Sequence, residues 1–148
     1  MAQVTLAKAL KLKNRQVQKV KGLQERIQAS NSRLVGSEAD FDARALYGEL
    51  RTETANLWRL KQAINAANVP VHAAIYEMAE TKGLIAFLKT LNTKRGKVES
   101  FGEEAFVYEA AITGADSQAE VEALEARIDV LQDALDLHNA TTLVDVEE

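Results

Sequence analysis

Several classes of protein are excluded by what this chain of 148 residues lacks. It contains no cysteine, which excludes a disulfide-stapled scaffold, a thiolate metal site and a cysteine nucleophile. It has one proline and seven glycines, so little in it interrupts a helix, and it is rich in alanine, which favours helix most. The longest apolar run, Leu84–Leu88, is far shorter than the roughly 18 residues that a membrane span requires. The composition therefore predicts a helical chain without a membrane span.

The N-terminal region lacks the apolar centre of an export signal, although it is rich in lysine and arginine. Residues 1–30 contain no apolar stretch like the centre of a secretory signal peptide. We therefore expect a cytoplasmic protein, or one carried inside a virion if a phage encodes it. The length suits one domain, and we expect a single helical-bundle domain over residues 1–148.

Apolar residues in the first half of the chain recur at alternating steps of three and four, the spacing of long amphipathic helices. The first predicted helix runs from about Thr5 to Ala29. The second runs from about Phe41 to Ala67, with a leucine-rich seam that is interrupted once, by Glu53. A short polar loop separates the helices, and Ser37 or Asp40 is the predicted N-cap of the second. Two long helices joined in this way form an αα-hairpin.

The second half of the chain predicts two more helices and a small β element. A third helix is predicted from about Val71 to Asn92. The segment Phe106–Thr113 is rich in aromatic and β-branched residues, which predicts a strand or hairpin arm near residues 98–115. A capping box at Ser117–Glu120 opens the predicted last helix, and a β-prone tail follows. The predicted fold class is all-α, a bundle of about four helices with a long αα-hairpin and this small arm.

The charges are distributed very unevenly along the chain, although the formal net charge is only −4. Residues 1–35 carry eight basic side chains against Glu25 alone, for a net charge of +7. Residues 99–148 carry fourteen acidic side chains against Arg127 alone, for a net charge of −13. The first predicted helix is therefore basic, and the last is acidic.

Three interpretations of the basic first helix remain open. The first is that it pairs with the acidic last helix, in the same chain or in another copy, so that opposite charges select which helices are neighbours. The second is a nucleic-acid surface whose cations contact phosphates. Those cations are Lys8, Lys11, Arg15 and Lys19. The third is a helix on an anionic membrane surface. The first helix has no aromatic residue to stack on bases or to anchor in lipid, which favours the first interpretation.

No motif for catalysis or cofactor binding occurs in the sequence. The glycines are scattered and form neither a phosphate-binding loop nor a dinucleotide-binding motif. A carboxylate-bridged metal pair in a helical bundle needs Glu-x-x-His, but Val69 and Leu135 stand three residues before His72 and His138. We interpret His72 as a solvated residue at a helix start and His138 as a partly buried residue near a helix end. We predict no enzyme activity and no catalytic, cofactor-binding or metal-binding residues.

The candidate functional residues lie off the helix seams, where a neighbouring helix or a second chain can contact them. They are Leu12, Gly22, Leu23, Gly48, Trp58 and Gly83. Glycine inside a helix costs about 1 kcal/mol relative to alanine, so an internal glycine indicates the close approach of another helix or chain. Trp58 follows a seam leucine, and we interpret it either as the edge of the core or as an interface anchor.

Four segments of the chain resemble the septicolysin-like family of small bacterial helical proteins. They are Ile64–Asn68, Leu84–Leu91, Phe106–Thr113 and Leu137–Leu143. The resemblance implies a compact bundle of long helices with a small β element, and it implies self-association. The family label also implies a pore-forming cytolysin, whereas the helices of this chain have the seams of ordinary soluble helices.

The sequence therefore predicts a non-enzymatic, self-associating helical protein that acts in assembly or in protein–protein interaction. A structural role in a phage or virus fits this prediction as well as a bacterial role. The alternatives are a module that binds nucleic acid or an anionic membrane through the first helix, and a pore-forming cytolysin. We expect a homo-oligomer or a larger protein assembly, and no cofactor.

Overall fold

The computed structural model describes residues 2–99 and 105–147, and within them the chain forms four α-helices and four short strands. In chain order these are β1 (Ala2–Thr5), α1 (Leu6–Ser30), α2 (Ala43–Asn68), α3 (His72–Thr90), β2 (Gly96–Glu99), β3 (Ala105–Tyr108), α4 (Gly114–Thr141) and β4 (Leu143–Val146). One 3₁₀ turn, Val69–Val71, joins α2 to α3. The predicted all-α fold with its long αα-hairpin and small β arm is confirmed.

Backbone contacts divide the chain into two compact units, each with its own buried cluster. The hairpin unit comprises Met1–Pro70 and Leu137–Glu148, and the ribbon unit comprises Val71–Asp136. The single domain predicted over residues 1–148 is not tested by this division and stays a prediction.

The core of the hairpin unit lies where both ends of the chain meet the start of α1 and the end of α2. Leu6 and Ala9 of α1 are fully buried, and they cluster with Ile64 of α2 and Val144 of β4. The strands β1 and β4 pair in antiparallel fashion, with Val4 directly opposite Val144. One face of this short sheet packs against the helices and is buried there. The strands near the two ends of the chain therefore share one core with the hairpin.

The prediction that Ser37 or Asp40 caps the start of α2 is wrong, because Asp42 occupies the N-cap position. The Asp42 carboxylate accepts hydrogen bonds from the backbone amides of the second and third helical residues, at 3.1 and 3.2 Å. It therefore satisfies two amides that have no partner inside the helix. Ser37 instead donates its hydroxyl to the carbonyl oxygen of Leu34 at 2.6 Å, within the loop.

In the ribbon unit, α3 and α4 pack against each other through a small apolar cluster. Its buried members are Ile85, Leu88 and Val121. Two ion pairs join the same helices at the surface: Arg127 contacts Glu77 at 2.9 Å, and Lys89 contacts Glu125 at 3.5 Å. Exposed pairs of this kind contribute at most about 1 kcal/mol each. The apolar cluster therefore supplies most of the packing energy, and the ion pairs help to fix the alignment of the two helices.

The predicted capping box at Ser117–Glu120 is wrong, because α4 begins earlier, at Gly114. The box is formed by Thr113 and Asp116. The Thr113 hydroxyl oxygen accepts from the Asp116 amide at 3.1 Å, and the Asp116 carboxylate accepts from the Thr113 amide at 3.0 Å. The hydrogen bond from the backbone amide of Thr113 is the main cause of the lowered pKa of Asp116. Ser117 is buried instead, and its hydroxyl donates to the carbonyl oxygen of Leu88 at 2.9 Å.

The predicted β arm is a two-stranded antiparallel ribbon, in which Gly96 of β2 lies opposite Tyr108 of β3. Gly96 has a φ of +86°, a left-handed conformation that glycine adopts without strain and that turns the chain into the ribbon. The ammonium group of Lys94 lies 4.4 Å from the centre of the Tyr108 ring. In the described part of the chain, the sheet contains these two strands alone, so each strand has one unpaired edge.

Candidate functional site

The three apolar candidates for an interface differ in exposure. Leu23 is only 2% exposed, so it is a core residue and its prediction as an interface residue is wrong. Val20, Leu23 and Ile27 follow at steps of three and four, which places Leu23 on the covered side of α1. Leu12 is partly buried and lines a groove. Trp58 is 54% exposed, with the guanidinium of Arg59 at 5.3 Å from its ring centre.

The three helical glycines lie in open space. A Cβ atom added at Gly22, Gly48 or Gly83 would meet no other atom of the described structure within 4 Å. The alternative in which these glycines admit another helix of the same chain is therefore wrong. Contact with a second chain at these positions stays a prediction.

A polar groove of about 590 Å³ lies in the hairpin unit, lined by residues of α1, α2 and the C-terminal segment that includes β4. Glu53, the residue that interrupts the α2 seam, has a side chain that is only 14% exposed. Its carboxylate accepts from the Gln16 amide at 2.5 Å and from the Lys19 ammonium at 2.9 Å. The same Gln16 amide also donates to the main-chain carbonyl of Glu53 at 2.9 Å. The groove is therefore built around a carboxylate whose acceptors are already used.

These hydrogen bonds keep Glu53 ionised. The Gln16 amide, followed by the Lys19 ammonium, lowers the pKa of Glu53 below its ordinary value. The hydrogen bond and charge of Glu53 in turn raise the pKa of Lys19. Efficient acid–base catalysis near neutral pH needs a group whose pKa lies near 7, and a carboxylate with a lowered pKa is a weak base. The arrangement therefore ties α1 to α2 and is poorly suited to proton transfer.

We expect that replacing Glu53 by alanine lowers the free energy of unfolding by about 1–2 kcal/mol at neutral pH, because Gln16 and Lys19 lose their shared acceptor. The pKa of Glu53 is lowered in the folded state, so its contribution is present above about pH 4.5, the ordinary value, and is lost as the pH falls through the folded-state pKa. Urea unfolding of the wild type and the variant across this pH range measures the effect.

The matched control for this prediction is Glu25→Ala, which removes an exposed carboxylate from α1. It is expected to change stability by less than about 0.5 kcal/mol at either pH. A difference between wild type and Glu53→Ala that is equally large at low and neutral pH would show that the carboxylate charge contributes nothing.

His138 is partly buried near the end of α4, in agreement with its interpretation from the sequence. Its Nε2 atom lies 2.9 Å from the carbonyl oxygen of Ala67, and its Nδ1 atom lies 3.1 Å from the Thr142 hydroxyl oxygen. Because a carbonyl can only accept, Nε2 donates the hydrogen bond to Ala67. Ala67 lies in the last turn of α2, where carbonyls have no partner inside the helix. His138 therefore has a structural role that links α2 to the C-terminal segment.

The outer face of α3, formed by Tyr76, Gly83 and Phe87 around the exposed carboxylate of Glu80, is left uncovered. These residues follow at steps of seven and four, so they lie on one side of the helix. Tyr76 is 67% exposed and Phe87 is 56% exposed. The buried residues Met78 and Ile85 are offset from Tyr76 and Gly83 by two positions each, which is about 200° around the helix. Thus α3 carries two exposed aromatic side chains on the side opposite its buried residues.

Only part of this surface could be identified from the sequence. The sequence indicated Gly83 as a candidate residue, but α3 was expected to have one apolar side, facing the core. The recurrence of an aromatic residue after eleven positions, with glycine between, is the pattern that could have identified the outer face, because eleven residues complete about three helical turns.

The cations predicted to bind nucleic acid lie along the surface of α1. Lys8, Lys11 and Arg15 are exposed, and the side chain of Lys19 is 51% exposed. Within the hairpin unit as described, Lys19 makes an ion pair with Glu53 and the other three make none. The structure therefore brings these cations together on one helix and leaves most of their charge facing solvent.

Neither a metal-binding cluster nor a membrane-spanning helix occurs among the described residues, 2–99 and 105–147. In them, no three histidine, aspartate or glutamate side chains lie close enough together to hold a metal ion. Among the helices of the same residues, none is both long enough and apolar enough to cross a membrane.

The chain matches no protein-family model, and no curated protein matches it. Its fold is similar to that of a functionally unknown conserved protein from Corynebacterium diphtheriae, for which a crystal structure exists. The two structures align with a TM-score of 0.69 and 16% sequence identity, over 97% of this chain and 100% of that chain. At this identity the likeness concerns the fold alone, so the chain shares its architecture with that corynebacterial protein.

Proposed function

We propose that this protein is a non-enzymatic, self-associating helical protein that acts in assembly through contacts between copies of its own chain. The observation that carries the proposal is the outer face of α3. Large aromatic side chains exposed on the side of a helix opposite its buried residues are often covered by a partner, because they would otherwise keep apolar area in water. A second copy is a partner that is present wherever this chain is present.

The apolar area on this face is large enough to matter for association. An aromatic side chain buries about 150–250 Å² when it is fully covered. More than half of Tyr76 and Phe87 is exposed, so covering both removes roughly 200–300 Å² from water and contributes about 5–7 kcal/mol per copy. Association itself costs about 4–15 kcal/mol. Two copies that each bury this face therefore form a contact of moderate affinity.

Gly83 adds to the suitability of this face for helix packing. It lies between the two aromatic side chains, with open space where its Cβ would stand. Small residues let the backbones of two helices approach closely, so that flanking large side chains can pack against the neighbouring helix. The proposal thus gives a reason for a glycine that otherwise weakens the middle of α3.

Exposed apolar side chains on both faces of the β ribbon support the same proposal. In β3, Phe106 is 51% exposed and Val107 is 74% exposed, next to an unpaired strand edge. A two-stranded ribbon is marginally stable alone, and an exposed apolar edge is a template for pairing with another chain. The resemblance to the septicolysin-like family, which also implies self-association, remains part of this proposal.

The experiment is a measurement of absolute mass by light scattering behind a sizing column, at several protein concentrations and at low and high salt. We expect a multiple of 16.3 kDa, the mass of one chain, that persists at high salt because an apolar contact is not screened. A mass of one chain at every concentration and at both salt levels would contradict the proposal.

A further inference from the structure

The acidic helix α4 carries a row of carboxylates with the same spacing as the cations of α1. We call Lys8, Lys11, Arg15 and Lys19 the basic stripe and Glu122, Glu125, Asp129 and Asp133 the acidic stripe. Steps of three, four and four residues separate the members of each stripe, so each lies along one side of its helix. Asp136 lies three residues after Asp133 and extends the acidic stripe. The spacing of the five carboxylates is then the same whether it is read from the N-terminal or the C-terminal end of α4. Either a parallel or an antiparallel alignment therefore places four cations opposite four carboxylates.

Both stripes are exposed and largely unpaired. The ion pairs that their members make in the described structure are Lys19 with Glu53 and Glu125 with Lys89, each inside its own unit. The other members of the two stripes make no ion pair with any described residue. Apart from these two ion pairs, each stripe therefore presents charges of one sign to solvent without a neutralising partner among the described residues.

The complementarity identifies the partner that fits both surfaces. From this charge match we propose that the basic stripe of one copy binds the acidic stripe of a second copy. The inference rests on the proposed self-association and names a surface for it that is separate from the outer face of α3. Gly22 lies three residues beyond Lys19, on the same side of α1, and the space around it is open, so it permits another helix to approach.

Nucleic acid is a less suitable partner for the basic stripe. The helix α1 contains no aromatic residue on which bases could stack, and the whole chain carries a net charge of −4, which repels a polyanion. A second copy supplies a carboxylate at each matching position. The same pairing also accounts for the acidic stripe, which binding of nucleic acid would leave without a role.

The test is a charge exchange read out as the dissociation constant of self-association, measured by sedimentation. One variant is Lys8→Glu/Lys11→Glu/Arg15→Glu, and the other is Asp129→Lys/Asp133→Lys/Asp136→Lys. At low salt we expect each variant alone to self-associate about 100-fold more weakly than the wild type, since each lost attraction becomes a repulsion. The proposed alignment is antiparallel, with positions 8, 11 and 15 of one copy facing positions 136, 133 and 129 of the other. An equimolar mixture of the two variants should then recover the wild-type affinity, because each changed position meets the opposite charge.

The control is Lys21→Glu/Arg33→Glu/Lys61→Glu, which changes the net charge equally through exposed positions outside the stripe. It is expected to change the dissociation constant less than about 5-fold, the range of one exposed pair. Raising the salt from about 0.01 M to about 1 M shortens the screening length from about 30 Å to about 3 Å. It should weaken self-association of the wild type through the stripes, while association through the outer face of α3 persists. Circular dichroism checks that each variant is folded. Recovery of self-association in the mixture also shows that both reversal variants are folded.

The outcomes separate this inference from the proposed function. Self-association that neither charge reversal nor salt affects overturns the inference and leaves the proposed function in place. A single-chain mass under all conditions overturns both. Binding of a DNA duplex that only the basic-stripe reversal abolishes, with no recovery of self-association in the mixture, overturns the inference and assigns the basic stripe to nucleic acid.

Discussion

Replacing Leu6 by alanine is expected to lower the free energy of unfolding of the hairpin unit by about 3 kcal/mol, within the range of about 2–5 kcal/mol for large-to-small core substitutions. Leu6 is the first residue of α1 and is 0% exposed. It lies in the cluster that joins α1, α2 and β4, so its side chain contacts elements from both ends of the chain. Truncation leaves a cavity that a helix start fixed by Thr5 and a paired strand cannot easily close.

The measurement is equilibrium unfolding in urea, followed by circular dichroism. Leu34→Ala is the matched control, because it removes the same atoms from a side chain that is 83% exposed in the hairpin loop. The control is expected to change stability by less than about 0.5 kcal/mol. Equal and small changes for Leu6→Ala and Leu34→Ala would show that the cluster around Leu6 is not a core.

The same unfolding curves test the single domain predicted from the sequence. If residues 1–148 unfold as one cooperative domain, Leu6→Ala shifts one transition for the whole chain. If the hairpin unit and the ribbon unit unfold independently, the substitution shifts one of two transitions and leaves the other unchanged. The fluorescence of Trp58, the one tryptophan of the chain, reports on the hairpin unit alone.

The helices could be predicted from the sequence because their apolar residues recur locally. The first helix was predicted from Thr5 to Ala29 and occupies Leu6–Ser30, with Thr5 as its N-cap. The start of α4 was placed too late because two capping patterns occur within eight residues and spacing alone does not rank them. The strand β1 was missed because four residues carry little pattern, and their pairing depends on Leu143–Val146 at the other end of the chain.

The candidate site was less predictable, since it depends on how helices face each other. The interruption of the α2 seam by Glu53 was visible, but the donors that satisfy it, Gln16 and Lys19, lie more than 30 residues away on α1. Leu23 was taken as an interface residue because its position off the heptad seam does not reveal how wide the covered side of α1 is. Burial of this kind is a property of packing, which the spacing of residues along one helix does not determine.

Replacing Phe87 by glutamate is expected to weaken self-association by about 30–1,000-fold, the effect of losing an aromatic anchor at the centre of an interface. The monomer should keep its stability within about 0.5 kcal/mol, because the side chain is 56% exposed in a single copy. Val130→Glu on α4 is the matched control, since Val130 is equally exposed, at 57%, and lies outside both the outer face of α3 and the acidic stripe. Equal weakening by both substitutions would attribute the effect to added negative charge.

Gly83→Ala separates packing between copies from the stability of one copy, because we expect the substitution to raise the stability of the monomer and to weaken self-association. Within one chain the added Cβ meets no other atom, so the helix gains up to about 1 kcal/mol from its higher propensity. Between copies that approach closely at Gly83, the same methyl group separates the backbones and weakens self-association. A variant that is more stable to urea as a monomer and yet dissociates more readily would locate the contact at the outer face of α3. A variant that is more stable and associates as the wild type does would remove Gly83 from the interface, and with it the role assigned to this glycine.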